Sequence, residues 1–297
     1  MDYRQLHAFV VLAEELHFGR AAHRLNITQP ALTQQIKSFE ERLNLALFIR
    51  DRRHVSLTAE GRFLLDEARS ILGHCAAFFD DADNLRQGGR GLLKIGYVGS
   101  AILDPAMIML IKNYRANKPE TTLKIEQRNV NELLNMMLGE TLDLAFVRSP
   151  VPQYESMEYL DIATRPLIAV LPHQHKLSGE RKISLASLSS EPFFIQQDPH
   201  GVGLGWSSLS ACHQAGFIPK NIQFTQDVAA AIGLVSMAMG VTLVPETQSS
   251  VLVSDVSYCA LEERFATTTL TLCWRKEMKH RLLRDFIDDA RALTCRQ

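Results

Sequence analysis

The stretch that decides the fold covers residues 18–36 and reads Phe-Gly-Arg-Ala-Ala-His-Arg-Leu-Asn-Ile-Thr-Gln-Pro-Ala-Leu-Thr-Gln-Gln-Ile. Its first part predicts a short helix that ends before Asn26, where the helical pattern is interrupted. Thr28 can cap a second helix, because its hydroxyl accepts a backbone N–H and Pro30 is tolerated in the first turn. That helix extends to about residue 43. Two helices joined so closely predict a helix-turn-helix.

The sequence on either side completes a small domain. Residues 4–16 place apolar side chains on one stripe, which predicts a helix ahead of the motif. Residues 47–50 and 55–58 alternate enough to form a hairpin with a basic tip at residues 51–54, which predicts a wing. We therefore expect an all-α winged helix-turn-helix over residues 1–58.

The second helix of the motif carries the side chains expected to read DNA. Glutamine can pair with adenine, threonine and proline can pack on a thymine methyl, and lysine can reach phosphate. A polar helix face is by default only solvated, but the turn and the basic wing favour DNA contact. Arg52 and Arg53 at the hairpin tip are expected to enter a minor groove. The remaining candidate DNA-binding residues are Thr28, Gln29, Pro30, Thr33, Gln34 and Lys37.

Charge is distributed unevenly along the chain, whose net charge is −1. Residues 1–58 hold eight basic and six acidic side chains, a net charge of +2, so the rest carries −3. The phosphate-attracting part therefore lies at the N-terminus. No apolar run is long enough for a membrane span and no secretory signal is present, so a cytoplasmic protein without a membrane partner is expected.

The five cysteines are scattered and form no C-x-x-C pair. This spacing predicts reduced thiols rather than a disulfide framework or a zinc site. A redox-sensing pair stays open as an alternative, because spacing alone does not show reactivity. No metal ion and no cofactor are expected.

Residues 59–90 are predicted to form a linker helix and a hinge. Apolar residues from Leu64 to Leu85 recur at alternating spacings of four and three, a seam typical of a helix that pairs with a second copy of itself. The alternative is that this stripe packs against the chain's own C-terminal domain. Glycines at residues 88–91 are expected to end the helix.

Strands and helices alternate over residues 91–297, with a helix predicted over residues 105–117 and a strand over about 166–171. This alternation predicts an α/β effector-binding domain with parallel sheets. Lobe I is expected to combine residues of about 91–162 and 267–297, and lobe II those of about 163–266. Crossing strands would leave a cleft between the lobes. Ligands bind at the carboxyl ends of parallel strands in such folds.

Several segments together resemble one known family. Residues 18–36, with Glu40-Glu-Arg-Leu, Leu47-Phe-Ile-Arg and Leu57-Thr-Ala-Glu-Gly, look like the DNA-binding signature of the LysR-type transcriptional regulators. Residues 142–146, 227–235 and 240–245 are similar to the effector domain of the same family. The resemblance implies promoter DNA read through a dyad-symmetric site, a periplasmic-binding-protein-like effector domain and a homotetramer built as a dimer of dimers. RNA polymerase is a further possible partner.

The resemblance also assigns residues. It places Gln29, Pro30, Thr33, Gln34 and Arg53 at positions that contact bases or grooves. Gln34 stands where arginine is frequent in the family, and Val130 stands where threonine is common. Residues 197–204 line one wall of the effector cleft.

The candidate effector-binding residues favour a small organic acid. Ser100 follows a strand and precedes a helix, where its hydroxyl and neighbouring N–H groups can hold a carboxylate, although an ordinary turn is the alternative. Arg148 either faces the cleft or forms a structural ion pair, and His200 either donates to an anion or faces solvent. The other candidates are Asn129, Val130, Gly201, Val202, Gly203 and Leu204.

The sequence disfavours two other classes of protein. An enzyme is disfavoured because the sequence has no nucleophile elbow, no zinc-protease motif and no phosphate-binding loop. The glycines of residues 201–205 do not have the spacing of a dinucleotide-binding loop. A solute-binding protein would fit residues 91–297 but would have no use for the first 90. A regulator that binds DNA and senses a small molecule is the function predicted.

Overall fold

The protein is described by a computed structural model that covers residues 2–50, 55–86, 91–277 and 281–295. Its contacts divide the chain into two compact units, the first built around the N-terminal residues up to Arg86 and the second around the α/β part. No helix in the described ranges is long and apolar enough to cross a membrane.

The first unit contains the expected helix-turn-helix and hairpin. Its elements are α1 (Tyr3–Glu15), α2 (Phe18–Arg24), α3 (Gln29–Leu43), β1 (Phe48–Arg50), β2 (Val55–Leu57) and α4 (Ala59–Arg86). The side chain of Asp2 accepts the N–H of Arg4 at the start of α1. Leu16 ends that helix in the left-handed region, at φ 46°, and is exposed. The prediction that Leu16 lies on the buried stripe is therefore wrong.

Aromatic side chains tie the first unit together. The ring of Phe9 on α1 lies 6.0 Å from that of Phe39 on α3 and 5.7 Å from that of Phe48 on β1. Gly61 lets the start of α4 approach this core, because a Cβ there would lie 2.2 Å from the carbonyl oxygen of Leu47. A larger residue at this position would push α4 away from the hairpin.

The seam on α4 is only partly buried within the chain. Leu64 and Ala68 at its beginning pack against the core of the first unit. Further along, Ile71 is partly exposed and Phe78 is 69% exposed. Leu85 lies outside the residues whose side chains are described. The described end of the seam is thus an apolar surface facing solvent.

Within the described ranges, the second unit is an α/β structure built on one ten-stranded sheet. Eight strands follow one another in the order β4-β3-β5-β12-β6-β10-β8-β9, with β11 and β7 attached to the side. The strands are β3 (Leu92–Tyr97), β4 (Thr122–Gln127), β5 (Leu144–Ser149), β6 (Met157–Pro172), β7 (Lys182–Ile183), β8 (Phe193–Gln196), β9 (Ile222–Thr225), β10 (Val241–Pro245), β11 (Val256–Leu261) and β12 (Thr267–Arg275). The helices are α5 (Pro105–Asn117), α6 (Val130–Leu138), α7 (Gly203–Gln214), α8 (Val228–Ser236) and α9 (Arg281–Thr294).

Strand β6 joins the two lobes of this unit. Its first part pairs antiparallel with β12 over Met157–Pro166, and its last part pairs with β10 and β11. One buried core forms around β3, β5 and β12, with Trp274 and Phe286 inside it. A second core forms around β8 and β10, with Phe193 and Phe194 inside. The fold class is as predicted, a winged helix-turn-helix followed by a two-lobed α/β domain.

Candidate DNA-binding surface and effector cleft

The start of α3 presents the residues that were predicted to read DNA. The hydroxyl of Thr28 accepts the N–H of Ala31 at 3.4 Å and caps the helix, and Pro30 lies in its first turn. The hydroxyl of Thr33 donates to the carbonyl oxygen of Gln29 at 2.9 Å, so its hydrogen is engaged on the helix itself. Five of these candidates are exposed: Thr28, Gln29, Pro30, Gln34 and Lys37.

Lys37 keeps an accessible ammonium group. Its Nζ lies 3.7 Å from Oε1 of Glu41, one turn further along, and both side chains are 63% exposed. Ion pairs of this kind contribute little because water screens them. The ammonium can therefore exchange this partner for a phosphate.

Glu40 connects α3 to the hairpin, a role that the sequence did not predict. Its carboxylate accepts the N–H groups of Leu47 at 2.8 Å and Phe48 at 3.1 Å, and it pairs with Arg50. The guanidinium of Arg50 also lies 5.4 Å from the centre of the Phe18 ring. These contacts fix the base of the wing against α3. Arg52 and Arg53 lie outside the described residues.

The carboxyl ends of two pairs of parallel strands, β3 with β4 and β8 with β9, meet around an open cleft of about 630 Å³ in the second unit. Loops after β3 and β4 line one side, and loops after β8 and β9 line the other. The lining residues are mostly polar: Gly99, Gln127, Arg128, Asn129, Val130, Asn131, Glu132, Gln196, Gln197, Asp198, Pro199, Gln226 and Asp227.

A narrower space adjoins this cleft, and we call it the closed space because it leaves no room for a water molecule in this structure. Five of the predicted effector residues line it, namely Ser100, Val130, Arg148, Gly203 and Leu204. Val98, Gln196 and Asp198 complete the lining, and only Asp198 lies in the segment 197–204 that the resemblance placed in a cleft wall. The structure therefore brings residues of both lobes to one point.

Arg148 forms a buried ion-pair network and also lines the closed space. Its Nη2 donates to the carbonyl oxygen of Ser100 at 2.9 Å and to Oδ2 of Asp104 at 3.2 Å, and its side chain is 1% exposed. Oδ1 of Asp104 accepts Nη2 of Arg165 at 2.9 Å. Arg148 thus forms the structural ion pair that was one predicted alternative, and it also lines the space beside the cleft, which was the other.

The pKa values of this network follow from burial and charge. Burial lowers the pKa of Arg148 to about 10, against the opposing effect of the Asp104 carboxylate. Burial alone would raise the pKa of Asp104, but the hydrogen bonds from Arg165 and the charge of Arg148 outweigh it, so that pKa is lowered. All three groups are charged at neutral pH, and two positive charges face one negative charge.

Ser100 is completely buried at the end of β3. Its carbonyl oxygen accepts Nη2 of Arg148 and, at 3.3 Å, Nε2 of Gln248. Among the described residues, its hydroxyl finds no hydrogen-bond partner, and neither do Nε and Nη1 of Arg148. These donors belong to two side chains that line the same closed space.

Asp198, on the side of the cleft opposite Ser100, holds the start of α7. Its Oδ2 accepts the N–H of Gly205 at 2.9 Å. Gly203 has φ +75°, and a Cβ there would lie 2.5 Å from the same oxygen, so only glycine fits. Burial raises the pKa of Asp198 to about 6, while N–H groups of Gly205 and Leu204 and the side chain of Gln196 oppose the rise.

Models of two protein families match the amino-acid sequence of this chain. Residues 3–62 match the bacterial regulatory helix-turn-helix protein of the lysR family, and residues 86–294 match the LysR substrate binding domain. The chain belongs to the LysR family. It is a DNA-binding transcriptional regulator with an effector-binding domain, as its residues predicted.

Relatives of this LysR-type regulator match it over nearly its whole length. The uncharacterized HTH-type transcriptional regulator YnfL of Escherichia coli (strain K12) is 35% identical over 277 residues, which cover 93% of either chain. The crystal structure of CbnR, a LysR family transcriptional regulator, aligns with a TM-score of 0.77 at 23% identity over 99% of both chains. The BenM effector binding domain with its effector benzoate aligns with a TM-score of 0.60 at 18% identity, covering 69% of this chain and 93% of that one.

Some predicted effector residues of the LysR-type regulator lie away from the closed space. Asn129 caps α6, because its Oδ1 accepts the N–H of Glu132 at 2.9 Å, and it lines only the outer cleft. The exposed ring of His200 lies 4.8 Å from that of Trp206. Within the described ranges, His200, Gly201 and Val202 line neither space. Their contact with an effector stays a prediction.

Asp104 and Gln196 are the polar residues that sequence reasoning missed. Asp104 caps α5, and Gln196 lies one residue before the segment 197–204 that the resemblance placed in a cleft wall. Asp198 lies within that segment, but no local pattern singles it out. No group of histidine, cysteine, aspartate and glutamate side chains suited to a metal ion occurs in the described part of the chain.

Proposed function

We propose that this regulator responds to a small organic acid whose carboxylate binds Ser100 and Arg148 in the cleft. The observation that carries the proposal is the set of unpartnered donors there, the Ser100 hydroxyl with Nε and Nη1 of Arg148. An unsatisfied buried polar group costs about 1–3 kcal/mol. A bound carboxylate would remove that cost by accepting from these donors.

Charge supports the same ligand. The network of Arg148, Asp104 and Arg165 has two positive charges and one negative charge, and Arg148 and Asp104 are fully buried. The Asp198 carboxylate also lines the closed space but already accepts N–H groups at the start of α7, so the excess positive charge lies on the side of Arg148. BenM, which has this fold, holds the acid benzoate as its effector.

DNA binding is proposed to divide between two kinds of contact. Gln29 and Thr33 at the start of α3 would read base edges, while Lys37 and the wing arginines Arg52 and Arg53 would hold phosphates or enter the minor groove. The exposure of α3 and the fixed base of the wing support this arrangement. CbnR, with a TM-score of 0.72 over 99% of this chain, is known in a complex with its target DNA.

The exposed seam of α4 supports assembly into dimers. Ile71 and Phe78 leave apolar surface in solvent, which a second α4 would cover. Two such dimers would form the tetramer that is expected of the family. We place the working parts at residues 1–58 for DNA, 59–90 for the linker and dimer helix, and 91–297 for the effector.

Other parts of the proposal follow from the role of a regulator. The protein would act in the cytoplasm, where promoter DNA is found, and RNA polymerase would be a possible partner at the promoter. Its relatives regulate transcription, and no catalytic motif was found in the sequence, so no enzymatic activity is proposed.

Ser100 provides the test of the effector site. Replacing it with isoleucine removes the hydroxyl and adds bulk where a ligand would have to widen the closed space, whereas Ser100→Ala removes only the hydroxyl. In the full-length protein, organic acids that raise the melting temperature of the wild type should have no effect on Ser100→Ile and a weaker effect on Ser100→Ala.

Both variants should still bind genomic DNA fragments that the wild type enriches, because α3 is untouched. If organic acids raise the melting temperature of Ser100→Ile as much as that of the wild type, the effector binds elsewhere. A protein that loses DNA binding and melts early would show that Ser100 is structural.

A further inference from the structure

The wall opposite Ser100 offers an acceptor rather than a donor. Oε1 of Gln196, at the end of β8, is buried and has no hydrogen-bond partner among the described residues. The amide of the same side chain hydrogen-bonds to the Asp198 carboxylate, which requires its nitrogen on that side. This contact places the amide nitrogen on the Asp198 side, and Oε1 is the atom left without a partner.

Asp198 does not compete for the same partner. Its carboxylate already accepts N–H groups from Gly205 and Leu204 and the amide of Gln196. Gln196 and Arg148 both line the closed space, which a ligand must widen to enter. A ligand that reaches the unpartnered donors of Arg148 there also lies beside the unpartnered acceptor of Gln196.

We infer that the effector is a hydroxy acid, with a hydroxyl close to its carboxylate that donates to Oε1 of Gln196. This inference rests on the proposed acid-binding function and deepens it. An ionised carboxylate has no hydrogen to donate, so a plain acid leaves Gln196 unsatisfied. An ammonium group would add a further positive charge beside Arg148 and Arg165, which a neutral hydroxyl avoids.

The outer cleft favours a polar body for the same ligand. Its lining includes Gln127, Asn131, Gln197 and Gln226, and no aromatic residue lies among the described residues that line it. Clefts that bind aromatic ligands are built mainly from apolar and aromatic side chains. The chemistry of this cleft therefore suits a hydroxylated aliphatic acid and not an aromatic acid.

Matched pairs of acids test the inference on the wild-type, full-length protein. The pairs are L-malate with succinate, L-lactate with propionate and 2-hydroxyhexanoate with hexanoate, and benzoate and L-alanine are added as single probes. Isothermal titration should give at least one hydroxy acid a dissociation constant about tenfold or more below that of its partner. This factor corresponds to the cost of leaving one buried acceptor unsatisfied.

The outcomes separate the two proposals. If several acids bind but no hydroxy acid binds better than its partner, or if benzoate or L-alanine binds best, the hydroxy-acid inference is overturned and the acid site stands. If none of the eight compounds binds, the acid site is overturned together with the inference.

A variant assigns the preference to its residue. Gln196→Met keeps the length of the side chain and removes the acceptor, so it should reduce the preference for the hydroxy acid to less than about twofold. Gln223→Met, at an exposed position on β9 outside the cleft lining, should leave the preference unchanged. An unchanged preference in a Gln196→Met protein that still binds DNA would overturn the assignment, and if this variant does not fold, the wild-type pairs decide.

Discussion

Removing the Glu40 carboxylate should loosen the wing from the recognition helix. In Glu40→Ala, the N–H groups of Leu47 and Phe48 lose their acceptor, and Arg50 loses its ion-pair partner. The side chain of Glu40 is only 15% exposed, so water replaces these contacts incompletely. We expect the hairpin to open more often while the rest of the first unit stays folded.

The size of the effect follows from the contacts that are lost. Hydrogen bonds to a charged group contribute about 1.5–3 kcal/mol each, and two backbone donors are involved. The ion pair with Arg50 adds less than about 1 kcal/mol because both partners are partly exposed. Taking the lower end for each hydrogen bond, the opening free energy of the hairpin falls by about 3 kcal/mol, which corresponds to about a 100-fold larger open population.

Hydrogen exchange of the full-length protein measures this directly. Peptides that contain the Leu47 and Phe48 amides should exchange about 100 times faster in Glu40→Ala, and DNA affinity should fall. The control is Glu41→Ala, because Glu41 is the adjacent residue of α3 and its side chain forms only a solvent-exposed ion pair with Lys37. Equal exchange rates in the two variants would refute the view that Glu40 fixes the wing.

The other predictions concern the cleft, the seam and DNA reading. Burial raises the pKa of Asp198 from 3.8 to about 6, so the folded protein binds this proton more tightly than the unfolded chain does. As pH rises from 4 to 6 the folded protein therefore loses at most about 3 kcal/mol of its free energy of unfolding. Melting scans of Asp198→Asn should show a flatter pH profile, and an identical slope would contradict this. Ile71→Glu should dissociate the dimer in sedimentation, whereas Asp66→Lys should not; an unchanged mass for Ile71→Glu would argue for a seam used within one chain. Gln29→Ala should reduce discrimination between DNA sequences by about 1–3 kcal/mol while Lys37→Ala weakens binding to all of them, and equal losses in both would remove the distinction.

Local signals made much of the fold predictable. Asp104 and Pro105 mark the start of α5, and the predicted helix over 105–117 agrees with the structure residue for residue. The first half of β6 was missed, because side chains such as Glu158 and Asp161 break the apolar run that marked its second half. Strand β11 was missed as well, since its partly exposed alternation gives only a weak signal.

The candidate site was predictable only where position in a strand or helix decides it. Ser100 follows a strand and was placed correctly at the carboxyl edge of the sheet. The contacts of Arg148 depend on Asp104, which lies 44 residues away along the chain. Likewise, Oε1 of Gln196 lies beside Ser100 and Arg148 only because the fold brings the end of β8 opposite the end of β3. Such pairings are set by tertiary packing, which periodicity does not encode.

The sharing of β6 between two lobes restricts how this protein can be recombined with its relatives. Residues of β6 are in register with β12 at one end and with β10 and β11 at the other. Side chains alternate between the two faces of a strand, so a single inserted residue would turn inward-facing side chains outward in everything beyond it. Chimeras that exchange lobe II for that of another regulator should therefore tolerate junctions only where both parents keep the same number of residues across Met157–Pro172. The effector specificity of such regulators can be transplanted as a whole domain far more easily than as a single lobe.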